Sequence, residues 1–504
     1  MNLRFPRFSY QVHRAPLRLQ QDNFWGVTLI KLSHATLLTA ISATLLSACT
    51  NLAPAGTAAR EHDTRNAFVA TPETSFATIA DAATPTDRWA GVLGGAGYRI
   101  EVPKTNWNGK LAVYAHGFAG TGDVLTVQDP PIRRYLIDNG YAWVASSYSK
   151  NYYDVRAGVE DTNELTLAFN KIAASNGRTL AAPTRTYLFG RSMGGHITAA
   201  AIEDEALATA RSKVRYDGAV PMCGVLGDTE LFDYFAALQL AAQQLAGLPA
   251  TKFPATDWPT LSADVRTTLF NSTTSFASTT AQGARLKTMV MHLTGGPRPI
   301  FEAGFTNDSL QKVVWDGLGR TGDVAGILAS GKNVVDTNRI RYRFDAPDAV
   351  VDAFNAGIVR STADANANPK RSDGVRWIPK VNGEFKIPVL TLHTLGDMYV
   401  PFMMEQIYLQ RVTGKGNSAN LVQRAIRAPG HCDFTVAEQA TAFADMVKWV
   451  ETGVKPAGDD VLTASVVAQP SYGCAHTDDT VGADDGASIK MWRSKGKLPA
   501  CPAK

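Results

Sequence analysis

Gly190-Arg191-Ser192-Met193-Gly194-Gly195 sets one serine between glycines, directly after the apolar run Tyr187-Leu188-Phe189. A serine hydroxyl is a weak nucleophile until a base takes its proton. Glycines two residues before and two after it let the chain bend sharply and lift the hydroxyl off the end of a sheet, if a strand precedes and a helix follows. Residues 184–190 read as that strand and 194–203 as a small-residue helix. In a chain with 42 glycines a chance match is common, so this context makes Ser192 the candidate nucleophile rather than a serine in a glycine-rich loop.

The base should be a histidine oriented by a carboxylate, with acid and base in loops after later strands. Asp397 follows the strand-like run within 387–397, and His431 follows the next one, within 421–431. Asp397 could also cap the helix after it, and His431 could be a surface-loop histidine. Other groups fit less well. His393 lies inside a strand run, His196 on the helix after Ser192, and His292 in a helical region; Asp433 and Glu438 come too close to or after His431. A tetrahedral intermediate also needs hydrogen-bond donors for its oxyanion. The backbone N–H of Met193 is one. The loop 115–123, with His116-Gly117 as a tight turn, offers the N–H of Phe118 as the other.

These residues need a sheet to carry them. From residue 86 to 227 strands and helices alternate, and they do so again from 385 to 453, which implies an α/β fold with a mostly parallel sheet covered by helices on both faces. Between them, 228–384 reads as a largely helical insertion. Its Phe301 and Phe305 beside Arg298 read as packed interior, or as contacts to an aromatic or carboxylated substrate. The last helix of the second part opens on a Thr435/Glu438 capping box and stops at Gly453. Residues 454–504 read as a polar tail, and 50–85, rich in Ala, Thr and Pro, as a tether.

The chain has 504 residues, a net charge of +4 and 45% hydrophobic residues, with no basic patch interleaved with aromatics, which argues against nucleic-acid binding. Residues 1–49 read as an export signal: an apolar stretch follows Lys31 and ends in Leu46-Ser47-Ala48-Cys49. That ending resembles a bacterial lipoprotein signal, with cleavage before Cys49 and lipidation of its thiol. Thr50, rather than Asp, then points to the outer membrane; a cleaved ordinary signal, giving a periplasmic or secreted protein, and a retained anchor are the alternatives. The stretch before Lys31 is long for a signal, and Val27 is a candidate start. Export permits disulfides. Cys474 and Cys501 share the tail, so their pairing is the local choice, which leaves Cys223 and Cys432 as a second pair or as two buried thiols.

Taken together, the 115–123 loop, the Gly190–Gly195 turn, the Asp397 loop and the His431 loop resemble the α/β-hydrolase superfamily, over roughly 86–226 and 385–453, with the insertion where such enzymes often carry a lid. The resemblance implies a serine hydrolase of small carboxylic esters that works without metal or organic cofactor. Tannases and feruloyl esterases are similar in having a cysteine directly after the histidine, here Cys432. In them the partner cysteine precedes the nucleophile; here that position is Arg191. Cys223 is then a candidate substitute partner, with two buried free thiols as the alternative, and Arg191 is a candidate for a salt bridge or for contact with an acidic substrate. An amidase or peptidase with the same triad is the main alternative. A binding lipoprotein with a dead site is the other.

Overall fold

A computed structural model describes residues 67–502 apart from 72, 249–254, 256, 319–331 and 495–497. The expected signal, Val27, Cys49 and the first part of the tether lie outside the described residues.

Residues 142–146, 218–222, 389–394 and 421–426 are buried throughout, as strands are when helices cover both faces of their sheet. They belong to one eight-stranded sheet: β1 Thr86–Leu93, β2 Ala96–Pro103, β3 Lys110–Ala115, β4 Ala142–Ser146, β5 Arg185–Arg191, β6 Gly218–Met222, β7 Val389–Thr394 and β8 Leu421–Ile426. The order across the sheet is β1-β2-β4-β3-β5-β6-β7-β8. Only the β1–β2 and β2–β4 joints are antiparallel. Strand β1 has no counterpart in the sequence reading, because its mix of polar and small residues hides a strand that pairs along one edge only.

Side-chain alternation sorts each inner strand between two cores. Leu111, Val113 and Leu188 face one, with Phe169 of the helix Val155–Ser175 and Ile197 of the helix Met193–Ala201. Ala112, Tyr114, Tyr187 and Phe189 face the other, with Leu136 of Arg133–Asp138 and Phe443 of Val436–Thr452. The β5–β6 register puts Arg191 opposite Met222, so Ser192 and Cys223 leave the sheet side by side.

Between β6 and β7 the described residues form helices, among them Glu230–Ala246, Trp258–Leu269, Ala281–Leu293, Asp308–Leu318 and Asp348–Gly357. Trp258 stacks on Trp315, and Phe270 and Phe276 pack around them. Arg298 is buried, donates to the carbonyl of Leu395 at 2.6 Å and lies over the Phe301 ring. This is the packed-interior reading of that stretch, and it braces the loop that carries Asp397. Gly304 touches the same loop so closely that a Cβ there would sit 2.0 Å from the Gly396 carbonyl oxygen.

Two segments are more integrated than the sequence reading expected. The tether gives way to docked chain before residue 85: Phe76 packs on Trp143, Arg99 forks onto Glu73, and Val69–Ala70 pairs with Val124–Leu125. The tail folds back along the open edge of β8. Asp459 accepts from the Ala425 N–H and donates its own N–H to the Gln423 carbonyl, and Thr477 accepts from the Arg427 N–H. Polar residues thus take the place of a ninth strand and satisfy an edge that would otherwise invite another chain. Cys474 and Cys501 are disulfide-bonded within this segment.

Candidate active site

Ser192 stands at φ 60°, ψ −123° between β5 and the helix Met193–Ala201. That conformation is costly for any residue with a side chain and marks a turn held by its surroundings. Its neighbours must be glycines for reasons of space. A Cβ on Gly190 would lie 2.4 Å from the Gly194 carbonyl oxygen, and one on Gly194 would lie 2.0 Å from that of Ala115. The turn is thereby pressed against the end of β3, and the next helix begins at the serine, with its N-terminal N–H groups and positive dipole end beside the hydroxyl.

The three residues expected to cooperate come together. His431 Nε2 lies 2.7 Å from Ser192 Oγ, and His431 Nδ1 lies 2.6 Å from Asp397 Oδ2. Asp397 is fully buried, and its other oxygen accepts from the N–H groups of Tyr399 and Val400, both at 2.9 Å. The carboxylate is therefore pinned, and it fixes the proton of His431 on Nδ1, which leaves Nε2 free to accept from the serine. The two loops are fastened to each other. Thr394 Oγ1 donates to the Gly430 carbonyl, and the Gly396 N–H donates to that of Ala428.

Around the oxyanion position, the loop after β3 touches the nucleophile. A Cβ on Gly117 would sit 3.2 Å from Ser192 Cβ. His116 Nδ1 donates to the Gly117 carbonyl at 2.6 Å. Because that peptide unit is trans, its N–H, which belongs to Phe118, points away from the imidazole. His116 stacks on Tyr148, whose hydroxyl donates to the His116 carbonyl. Burial lowers the His116 pKa to about 4, so the ring is neutral and serves to hold the loop. Met193 is buried at the first position of the helix.

The remaining candidates stand outside the hydrogen-bonded set of three, although His393 and Asp433 both border it. His196 is buried between Tyr153 and the Pro379 carbonyl. His393 lies in β7, and His292 is in the helix Ala281–Leu293. Glu438 caps its helix and pairs with Arg493.

Cys223 and Cys432 form a disulfide across a sequence separation of 209 residues. Both have positive φ, 43° and 60°. Cys223, Cys432 and His431 carry metal-ligand atom types within 4.8 Å of one another, but the disulfide occupies both sulfurs. Arg191 Nη2 donates to the Cys432 carbonyl at 2.6 Å. Arg191, the residue before Ser192, thus reaches the same residue that Cys223 bonds. Sequence reasoning missed this, as it missed Tyr148.

Two antiparallel joints at one end of the sheet, a strand order that crosses once between β2 and β5, a strained serine after β5, an acid after β7 and a histidine after β8 decide the architecture. The fold is that of the α/β hydrolases. Within this fold the elbow, the acid loop and the histidine loop all open at the carboxyl ends of the strands, where the α/β-hydrolase sheet presents its chemistry.

No family model matches the chain. A stretch of 76 residues is 33% identical to the o-phthalyl amidase of Xanthobacter agilis, covering 15% of this chain and 17% of that protein. Among solved structures, feruloyl esterase B from Aspergillus oryzae is 15% identical with a TM-score of 0.37, over 77% of this chain and 86% of that one. Another Aspergillus oryzae esterase is 14% identical with a TM-score of 0.39, over 73% and 80%. The acylaminoacyl peptidase of Pyrococcus horikoshii is 10% identical with a TM-score of 0.36, over 75% and 43%.

Proposed function

We propose that this protein is a serine hydrolase that cleaves carboxylic esters of small molecules through an acyl-enzyme. The observation that carries the reading is His431 Nε2 at 2.7 Å from Ser192 Oγ, with Asp397 on its other nitrogen. Ser192 Oγ attacks the acyl carbon as its proton passes to His431 Nε2. The N–H groups of Met193 and Phe118 hold the oxyanion. His431 then gives the proton to the leaving alkoxide, and the alcohol departs. Water enters, loses a proton to His431 and attacks the acyl carbon; collapse returns the proton to Ser192 Oγ and frees the acid. Asp397 steadies the imidazolium at each stage. The helices between β6 and β7 would shape the pocket for the acyl or alcohol part.

The test is turnover of p-nitrophenyl esters of varied acyl length by the chain from residue 50 onward, with Ser192→Ala as control. Activity that survives in folded Ser192→Ala rejects the reading. The amidase segment favours amide cleavage as a second reading, since the same residues serve both reactions. The ratio of p-nitrophenyl ester to p-nitroanilide turnover separates them. Failure of a fluorophosphonate probe to label the intact protein would favour a binding role.

We also propose that the protein is exported and lipid-anchored to the outer membrane through Cys49. The leader pattern and the two disulfides support an oxidising compartment. Mass spectrometry of the mature amino terminus tests this: an unmodified or uncleaved Cys49 rejects the anchor.

A further inference from the structure

Behind Asp397 lies a second ionisable pair that the three-residue chemistry leaves unused. His393 on β7 and Glu405 on the helix Met403–Gly414 are both buried. His393 Nε2 donates to the Val400 carbonyl at 2.7 Å, and its Nδ1 faces Glu405 Oε1 at 3.3 Å. The second Glu405 oxygen accepts from Thr391 Oγ1 at 2.6 Å and from Gln423 Nε2. Neither His393 Nδ1 nor Glu405 Oε1 makes a hydrogen bond within the described residues, and at 3.3 Å the pairing between them is one of charge. A carbonyl and a carboxylate are both acceptors, and a ring with acceptors at both nitrogens is satisfied as an imidazolium. Burial disfavours that charge, but Glu405, Asp397 and the Val400 carbonyl outweigh it and raise the His393 pKa.

This ring also reaches the proposed triad. His393 Nε2 lies 4.0 Å from Asp397 Oδ2, the oxygen that accepts from His431. We propose that His393 and Glu405 form a buried ion pair whose imidazolium, placed behind Asp397, sets how strongly that carboxylate draws the proton on His431. The proposal rests on the hydrolase reading, and it makes His393 and Glu405 positioning residues. A cation at this distance from a buried carboxylate offsets part of its pull on the proton in front of it. Other titratable groups face the pair or Asp397. Burial keeps Tyr408 and Tyr472, which face Glu405, and Tyr234, which faces Asp397, protonated, and burial lowers the Arg298 pKa to about 10, which leaves it a cation. Asp433 faces Asp397 and His431, and burial raises its carboxyl pKa; it is the same in every variant compared, so it produces no shift between them.

The experiment is the pH profile of kcat/KM for p-nitrophenyl ester hydrolysis by the whole chain, comparing wild type, His393→Gln and the double variant His393→Gln/Glu405→Gln. Losing the imidazolium alone leaves Asp397 facing Glu405, so the acid limb should move up by about half to one pH unit. Removing both charges should bring the limb back toward wild type. A structural role alone would lower the plateau and leave the limb in place. An unmoved limb in His393→Gln, or a limb still displaced in the double variant, overturns the proposal. Should His393→Gln not fold, nitrogen-15 NMR of histidine-labelled wild type decides: one buried histidine that keeps both nitrogens protonated above the pH at which a free imidazole loses its proton is expected, and its absence is contrary. Wild type that labels with fluorophosphonate and loses activity in Ser192→Ala, yet shows an unmoved limb, sinks this inference and leaves the hydrolase reading intact.

Discussion

Tyr148, Ser192, Cys223 and Cys432 leave the carboxyl ends of their strands, or the loop just beyond, with φ of 60°, 60°, 43° and 60°. Along the free edge of β8 the tail does something different. Among its described residues the one positive φ belongs to a glycine, Gly473. Each strained non-glycine residue costs about 1–3 kcal/mol and persists only where neighbours hold it. At the strand ends those neighbours are the Cys223–Cys432 disulfide, the Arg191 bond and the His116–Tyr148 stack. At the β8 edge, hydrogen bonds accepted by Asp459 and Thr477, the Arg493–Glu438 pair and the second disulfide give stability without strained backbone. Strain therefore gathers where side chains must converge, while the tail serves as ordinary support.

This contrast can be broken in four places. The largest effect belongs to Ser192. Ser192→Ala should lose about 10⁴-fold or more in kcat for esters without a drop in Tm. Ser192→Gly should be equally inactive yet more stable, by up to about 1 kcal/mol in chemical denaturation, because glycine relieves the positive φ. A less stable Ser192→Gly would show that the turn is not strained. Asp397→Asn comes next, at about 10³–10⁴-fold in kcat, since an amide no longer fixes the proton of His431 on Nδ1; a loss below tenfold would mean that another group orients the ring.

The two disulfides then test the comparison directly. Cys223→Ser/Cys432→Ser should lower both stability, by about 2–5 kcal/mol, and kcat, by about tenfold or more, because the loop carrying His431 loosens. Cys474→Ser/Cys501→Ser should cost about 1–3 kcal/mol in denaturant and change kcat less than twofold. Equal kinetic effects from the two pairs would erase the distinction between a strained site and a relaxed support.

How far the sequence foretold this depends on the range of each interaction. The inner strands and the helix Val436–Thr452 were legible because apolar runs and a Thr435/Glu438 capping box are local signals. Ser192, Asp397 and His431 were legible because their order and their places after strands follow from the topology. Arg191 was visible as a departure, but nothing local says that its guanidinium crosses to a carbonyl 241 residues away. His393 was expected in the core, and it is there; its partner Glu405 lies on the following helix, where a lone acid in a helix reads as solvated surface. The tail looked polar because its polar atoms replace a strand's hydrogen bonds, a role that composition cannot express.

The bond from Arg191 to the Cys432 carbonyl has one further consequence. Fastening the histidine loop through sulfur alone would make the site a fuse, blown by any thiol that reaches it. Here two fasteners of unlike chemistry hold the same residue, and a reductant cuts only one. The guanidinium neither oxidises nor exchanges, so the loop keeps an anchor in media where the sulfur bridge is open.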